Sequence, residues 1–362
     1  TRPTPSQGHM QLTLLVPELI WPEPDDQIVL NKLKCPGLNT LLARSRLIRR
    51  PAQSLEATLA EAFGHAEGAA AYAAFRLLGE TALPPQADGG YWLCCDPVHL
   101  RFHQEHLVLA DSHCFALNME EALAFARALG EHFQEIGRFH VATTERWYLQ
   151  LAEHARPDRF DVPPLSAVAG RRIERLLPET AQATTLRQFL NEAQMLLHAH
   201  TANEQREDNG KMPINSLWLW GDGTLPAKVE AEFDGVWSNN PLALGLANAS
   251  GVPTHALPVD ASAFFTHADA DARHLIVLEG LLEPVQYENG QTYCKNLNEL
   301  EELWFAPLRS SLAKGKISQL RIEASTAYAN LAWESTLADQ WKLWRRPQPL
   351  GKVAQGLVKG NQ

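Results

Sequence analysis

Short apolar runs alternate along the chain with stretches in which apolar residues recur every three or four positions, the pattern of strands interleaved with helices. Residues 12–16 form an apolar, β-rich run that stops at Pro17 and opens into a Pro- and acid-rich loop through Asp26, which predicts a buried first strand. Residues 38–47 and 55–78 read as helices, the second Ala-rich and preceded by the capping residue Ser54. ALPPQADGG then breaks the pattern and marks a domain boundary. Two strands joined by a turn are predicted at 91–100 and 106–110, a helix with an acidic start at 119–132, and a short strand at 138–143. Residues 158–170, with Pro163-Pro164, are loop-like. Residues 185–199 make an amphipathic helix with Leu186, Phe189, Leu190, Ala193, Leu196 and Leu197 on its apolar side. In INSLWLWGDG, residues 214–223, Leu217 and Leu219 alternate with Trp218 and Trp220 as in a strand, and Gly221 and Gly223 permit a sharp turn just beyond it. A buried strand at 274–281, a helix at 297–313 and a last strand in ISQLRIEAS complete an α/β pattern.

At 362 residues the chain suits one large α/β domain with an insertion, or two intertwined domains. With 45% hydrophobic and 20% charged residues, and no apolar run near the ~18 residues of a membrane span, it reads as soluble. The net charge of -10 argues against a broad duplex-binding face. Basic clusters at Arg44, Arg46, Arg49 and Arg50, at Arg171 and Arg172, and at Lys342, Arg345 and Arg346 read as solvated faces. Five cysteines, an odd number without a CxxC pair, suggest reduced thiols in a cytoplasmic protein and make zinc unexpected. Residues 1–9 read as a leftover of recombinant expression. There is no internal repeat, P-loop, Ser-His-Asp order or dinucleotide glycine fingerprint; GDGTLP lacks the third Gly.

CPGLNTLLARSRLI is similar to a Thr-Pro-Asn-Leu-Asp helix start, and HLVLADSHCFALNMEEALAFARALGEHF to an Asp-Gly-strand-helix unit. RFHVATTERWYLQL resembles a Tyr-Arg-His strand, and AHTANEQREDNGKMPINSLWLWGDGTLP a series His-Pro-Val-Asn, Arg, Ala-Asn, Trp-Leu-Trp-Gly. In this order the segments resemble the archaeal-type cofactor-independent phosphoglycerate mutases of the alkaline phosphatase superfamily, most strongly over residues 107–226. The resemblance implies an alkaline-phosphatase-like core sheet flanked by helices, at 10–85 and 212–362, with a smaller α+β domain inserted at 86–211 on the substrate side. The Trp strand then reads as the return strand into the core. Also implied are a Ser nucleophile and two divalent metals, because paired cations stabilise both the attacking and the leaving oxygen of phosphoryl transfer.

Three runs depart from that pattern. Pro17-Glu18 stands where the first strand should end in Asp-Gly. EGLLEPVQYENG lacks the His of a Glu-Ala-Pro-Asp-Glu-Ala-Gly-His run, and RIEASTAY replaces Asp-His-Ser, leaving Glu323 as its acidic residue. A centre that has lost metal catalysis, with no cofactor, is the expectation; manganese or zinc enters only with a rearranged site. FFTHADADARH offers His267, Asp269, Asp271 and His274 as a fallback metal group, with an exposed acidic loop as the plainer account.

Residues matching the family's substrate side are Arg146, and His200, Asn203 and Arg206 after the long helix; the planar Arg fork suits a phosphate or carboxylate. CCDPVHLRFH adds Asp96, His99 and Arg101 as ligand candidates. Strand alternation places Asp96 with Val98 and His99 with Arg101 on opposite faces, which disfavours an Asp-His dyad. Asn215 and Asp222 read as turn caps, orientation of a polar ligand being the alternative. WKLWRRPQPL reads as packing across the core with its two Arg in solvent, a partner groove being the alternative.

LTLLVPELIWP, CDPVHL, LWLWGDG and LWRRP also resemble bacterial regulatory proteins of the RpfE type, which implies regulation and hints at partnership with a single-strand-specific exonuclease. The expectation is a cytoplasmic regulatory binding protein for a phosphorylated small molecule or a protein partner, without membrane contact. The alternatives are an active metal-dependent phosphotransferase or phosphatase with a rearranged site, and an interaction partner of a DNA-repair nuclease.

Overall fold

The computed structural model describes residues 9–65, 70–80, 90–103, 106–157, 161–173 and 184–359. Residues 1–8, most of ALPPQADGG, the start of the 158–170 loop and the Leu186 side chain lie outside the described residues. Twelve strands occur among the described residues: β1 (Gln11–Leu15), β2 (Arg46–Arg50), β3 (Tyr91–His103), β4 (His106–Ala110), β5 (Gly137–Val141), β6 (Trp147–Leu151), β7 (Ser216–Gly223), β8 (Gly235–Trp237), β9 (Thr254–His255), β10 (Arg273–Val277), β11 (Gln319–Ser325) and β12 (Asn330–Thr336). They belong to two compact units. One comprises Thr1–Thr58, Ala231–Ala243 and Gly251–Gln362, the other Leu59–Glu230 and Leu244–Ser250. The division differs from the one expected from sequence: residues 59–80 and 212–230, read there as core, group with the second unit. No helix among the described residues is long and apolar enough to cross a membrane.

The first unit is built on a seven-stranded sheet in the order β2-β12-β11-β1-β10-β8-β9. β1 pairs in parallel with β10 and β11, and β8 in parallel with β10 and β9, while β12 and β2 add antiparallel strands at one edge. Central β1 buries Leu12, Leu14 and Leu15, as a strand covered on both faces must. Helices Pro36–Arg44, Gly290–Leu300 and Ala306–Ala313 contribute Leu38, Leu41, Tyr293, Leu297, Leu308 and Leu312 to the same core.

The last two of these helices are joined by a π-helical turn, Glu301–Phe305. Its Glu301 is buried and accepts the backbone N–H groups of Gly37 and Leu38 at 2.6 and 2.9 Å, so a carboxylate caps the start of Pro36–Arg44. That helix ends at Arg44, short of the expected residue 47. Ser45 turns extended and donates its hydroxyl to Leu41 O, and Arg46–Arg50 becomes edge strand β2. The run ISQLRIEAS is likewise not the last strand, because β12 returns antiparallel along β11.

The second unit carries an antiparallel sheet, β4-β3-β6-β5, with β7 also on β3. The thirteen-residue β3 organises it: β6 and β7 flank its first half and β4 its second. Helix Met119–His132 starts at a reciprocal capping box between Asn118 and Glu121 and buries Ala122, Phe125, Ala126 and Leu129. Helix Thr184–His198 buries Phe189, Leu190, Ala193 and Leu197 on the face its periodicity foretells.

The Trp strand is therefore a member of this second sheet rather than of the core sheet. Its glycines act differently from the expectation too. Pairing shifts between Trp92 and Cys94, which face Gly223 and Trp220, so the extra residue forms a β-bulge inside the strand instead of a turn after it. Gly221 has φ 69°, and a Cβ there would sit 2.8 Å from the Cβ of Tyr72, so both the conformation and the close approach require glycine. The 55–78 stretch is two helices, Leu55–Ala62 and Tyr72–Leu78.

Candidate functional site

In an open parallel sheet, ligands bind beyond the carboxyl ends of the strands. In the first unit those ends are Val16-Pro17-Glu18 after β1, Ser238-Asn239-Asn240 after β8, Leu278-Glu279 after β10 and Ser325-Thr326 at β11. Glu18 is buried and has φ 55°, a left-handed conformation that costs a non-glycine residue about 1–2 kcal/mol. Its N–H donates to Ser325 O at 2.8 Å. The Pro17-Glu18 pair stands where Asp-Gly is expected, so the backbone keeps a glycine-like conformation beneath a Glu side chain. Nearby in sequence to the other strand ends, Asn240 Nδ2 donates to Glu279 at 2.7 Å, and Ser238 Oγ accepts the Asn240 N–H at 2.9 Å.

Glu323 is oriented by cations. Arg50 approaches its carboxylate at 2.5 Å and Arg321 Nε at 3.0 Å, and Arg321 continues to Glu334 at 2.6 Å. Burial works against the Arg321 charge, but Glu323 and Glu334 outweigh it and raise its pKa above the ordinary value. Two divalent metals need converging carboxylates and imidazoles with a negative local field. Among the described residues no group of three or more His, Cys, Asp or Glu is placed to hold a metal, and two guanidinium groups lie on the one acidic residue retained in the RIEASTAY run.

The fallback group does not converge either. Asp269 Oδ1 accepts the Asp271 N–H at 3.0 Å, and its backbone oxygen lies 2.9 Å from His274 Nε2. The other ring nitrogen of His274 accepts from Trp237 Nε1 at 3.3 Å, and its ring stands edge-on to Phe264. Asp271 accepts the His9 N–H at 3.1 Å, while His267 is exposed at the end of Ala261–His267. These are loop-capping groups and one core histidine.

In the second unit, Asp96 is fully buried in β3 and accepts four hydrogen bonds. Arg76 binds it in bidentate fashion at 2.9 and 2.7 Å, Trp220 Nε1 donates at 2.9 Å and the Trp147 N–H at 3.2 Å. The Arg76 guanidinium lies over the rings of Tyr148 and Trp220 at 4.7 and 5.0 Å. Burial opposes its charge, yet Asp96 holds it firmly protonated. Tyr148 donates to Glu80 at 2.6 Å, and Glu80 in turn takes Arg146 Nε and Nη2 at 2.7 and 3.0 Å. Burial pushes the Tyr148 hydroxyl well above its usual range, so it stays a donor. Asp96 and Arg146, far apart in sequence, thus fall in one connected polar network. Its other members, Arg76 and Glu80, escape sequence reasoning; the available signal is a charge lodged in the apolar run YAAFRLLGE.

The remaining substrate-side candidates gather around the segment that enters β7. Asn203 is buried and donates Nδ2 to Leu197 O and Ile214 O, both at 2.7 Å, while its Oδ1 accepts the Ile214 N–H at 2.9 Å. Arg206, also buried, donates to Met212 O at 2.9 Å, Ala116 O at 3.0 Å and the capping-box Glu121 at 3.0 Å. His200 caps helix Thr201–Asp208, its Nδ1 accepting the Ala202 N–H at 3.1 Å; burial lowers its pKa, consistent with the neutral ring a cap requires. His99 Nδ1 lies 2.8 Å from Pro213 O, and Arg101, on the same face of β3, is exposed. Asn215 exchanges two hydrogen bonds with the backbone of Leu100, and Asp222 accepts from the Tyr91 hydroxyl, so both act across strands rather than as turn caps.

No family model matches the chain. A stretch of 144 residues, 39% of the chain, is 27% identical to the 2,3-bisphosphoglycerate-independent phosphoglycerate mutase of Methanosarcina barkeri, and spans 36% of that protein. A stretch of 120 residues, 33% of the chain, is 28% identical to 2,3-bisphosphoglycerate-independent phosphoglycerate mutase 2 of Methanothermobacter thermautotrophicus, and spans 30% of it. The chain thus covers about a third of the length of these relatives. Among solved structures, the PH0037 protein of Pyrococcus horikoshii superposes with a TM-score of 0.55 over 90% of this chain and 87% of its own, at 14% identity. The chain has partial homology to the cofactor-independent phosphoglycerate mutases and shares a mixed α/β architecture, with sheets flanked by helices, with a solved structure.

Proposed function

We propose that this chain is a phosphoglycerate-mutase-like protein that acts by binding, and that its regulatory role rests on holding a phosphorylated small molecule or a protein partner rather than on passing a phosphoryl group between metals. The observation that carries this is the pairing of Arg50 and Arg321 with Glu323: guanidinium groups at 2.5 and 3.0 Å from that carboxylate neutralise it and repel a divalent cation. Support also comes from Glu18, whose side chain follows a proline where the resemblance calls for an aspartate. A reducing, cytoplasmic setting suits five cysteines, none of which is in a disulfide and four of which are buried.

Of the substrate-side candidates, Arg146 is the best anion contact. Its side chain is 32% exposed and its bidentate pair with Glu80 uses Nε and Nη2, whereas Asp96, Asn203 and Arg206 are buried and spend their hydrogen bonds inside the protein. Arg101 and His99 supply further polar groups from the outward face of β3. The test is thermal unfolding with phosphoglycerate in the presence of a chelator. The expected result is a rise in Tm that Arg146→Ala abolishes; the same rise in the variant removes Arg146 from the site, and no rise in either leaves a protein partner, a DNA-repair nuclease included, as the ligand class.

A further inference from the structure

The first unit carries an open groove of about 1000 Å³, lined by helix Pro36–Arg44, edge strand β2, residues 342–348 and the C-terminal helix Leu350–Lys359. This is the upper end of the range of small-molecule pockets, roughly 300–1,000 Å³. Six cations line it, Arg46, Arg49, Lys342, Arg345, Arg346 and Lys352, with no Asp or Glu among the described lining residues. In a chain of net charge -10 this is a local reversal of sign. Leu42, Trp333 and Leu357 add apolar surface to it.

The segment that forms one side of the groove corrects an expectation. WKLWRRPQPL does not bury its aromatic residues: Trp341 is 73% and Trp344 75% exposed. The segment is nevertheless fixed in place. Arg345 Nη1 donates to Ser45 O at 3.0 Å, Arg44 to Gln340 O at 2.6 Å, and Lys342 pairs with Asp339 at 2.5 Å. Across the groove Arg49 reaches Leu357 O at 3.3 Å. Two exposed indoles three residues apart thus stand on an anchored segment interleaved with Lys342, Arg345 and Arg346.

We propose that this groove binds single-stranded nucleic acid, with phosphates along the cations and bases stacked on Trp341 and Trp344. Neutralising phosphates releases counterions, and exposed aromatic faces accept unpaired bases of any sequence. Bases in a duplex are already stacked, and a wide duplex face conflicts with the acidic remainder of the surface. An acidic peptide would answer the cations, but flat bases also use the two exposed indoles. The groove shares no lining residue with the strand ends or the Arg146 network, so its test does not decide theirs.

Fluorescence anisotropy of the full chain with labelled oligothymidylate and oligouridylate, of about a dozen nucleotides, tests this. Binding is expected to weaken roughly 10²- to 10³-fold between about 50 and 200 mM salt, as several phosphate contacts require. The variants Trp344→Ala and Trp341→Ala should each lose about tenfold with an unchanged Tm, and Arg346→Glu with Lys352→Glu should abolish binding. Tighter binding of one oligomer assigns the site to DNA or to RNA. Absence of binding, equal competition by polyglutamate, equal affinity for a duplex of the same length, or indifference to both Trp substitutions would overturn the proposal.

Discussion

The carboxylate of Asp96 and the cations beside Trp344 are opposite solutions to placing charge on a protein. Asp96 is sealed in the second unit, with four donors on two oxygens, and its partner Arg76 is bracketed by Tyr148 and Trp220. Six cations and no carboxylate occur in the described lining of the first unit's groove, and the adjoining segment exposes the indoles of Trp341 and Trp344. A saturated buried charge fixes a fold; a row of like charges open to water is available to a ligand. Residue type alone therefore does not mark a binding group: burial and the sign of the surrounding charge are the better guide.

Substitutions on the two sides should separate by size. Asp96→Ala strands Arg76 in the core and should cost about 3–5 kcal/mol in urea unfolding, the largest effect. Glu80→Ala, which leaves Tyr148 and Arg146 without their acceptor, should cost about 1–3 kcal/mol by the same measurement. Glu18→Gly should exceed Glu18→Ala in stability by about 1–2 kcal/mol, because only the former relieves the left-handed backbone; equal stabilities would show that φ 55° carries no strain.

Acidity sharpens the same contrast. Burial lowers the pKa of His65, His140 and His200 below the ordinary 6.5. The unfolded chain then binds protons that the folded one refuses, so their stabilisation is present above about pH 6.5 and is lost as pH falls through the lowered values. Tm should decline from pH 7.5 toward pH 5, and His200→Asn, which retains a capping acceptor, should decline less. Smallest of all, Trp344→Ala and Arg346→Ala should alter unfolding free energy by no more than about 0.5 kcal/mol.

Local patterning made much of this legible. Helix Met119–His132 announces itself through its acidic start, and β7 through its Trp-Leu alternation. What escapes is decided by partners distant in the chain. Arg46–Arg50 is arginine-rich and looks like a solvated helix face, yet it is an edge strand because β12 supplies its ladder. Arg76 and Asp96 are twenty residues apart and on different elements, so no spacing rule joins them. The identity of Trp341 and Trp344 points to the core; their exposure is a property of the folded surface alone. Of the candidate site, Arg146, His200, Asn203 and Arg206 are readable as residues, but their saturation or exposure is not.

The most direct test of binding in place of metal catalysis is metal content per chain, in protein purified without chelator, measured beside phosphoglycerate mutase and phosphatase turnover with and without manganese. Substoichiometric metal and no turnover under either condition is the result expected from the guanidinium groups on Glu323. Stoichiometric metal with manganese-dependent turnover would contradict it and establish a rearranged catalytic site.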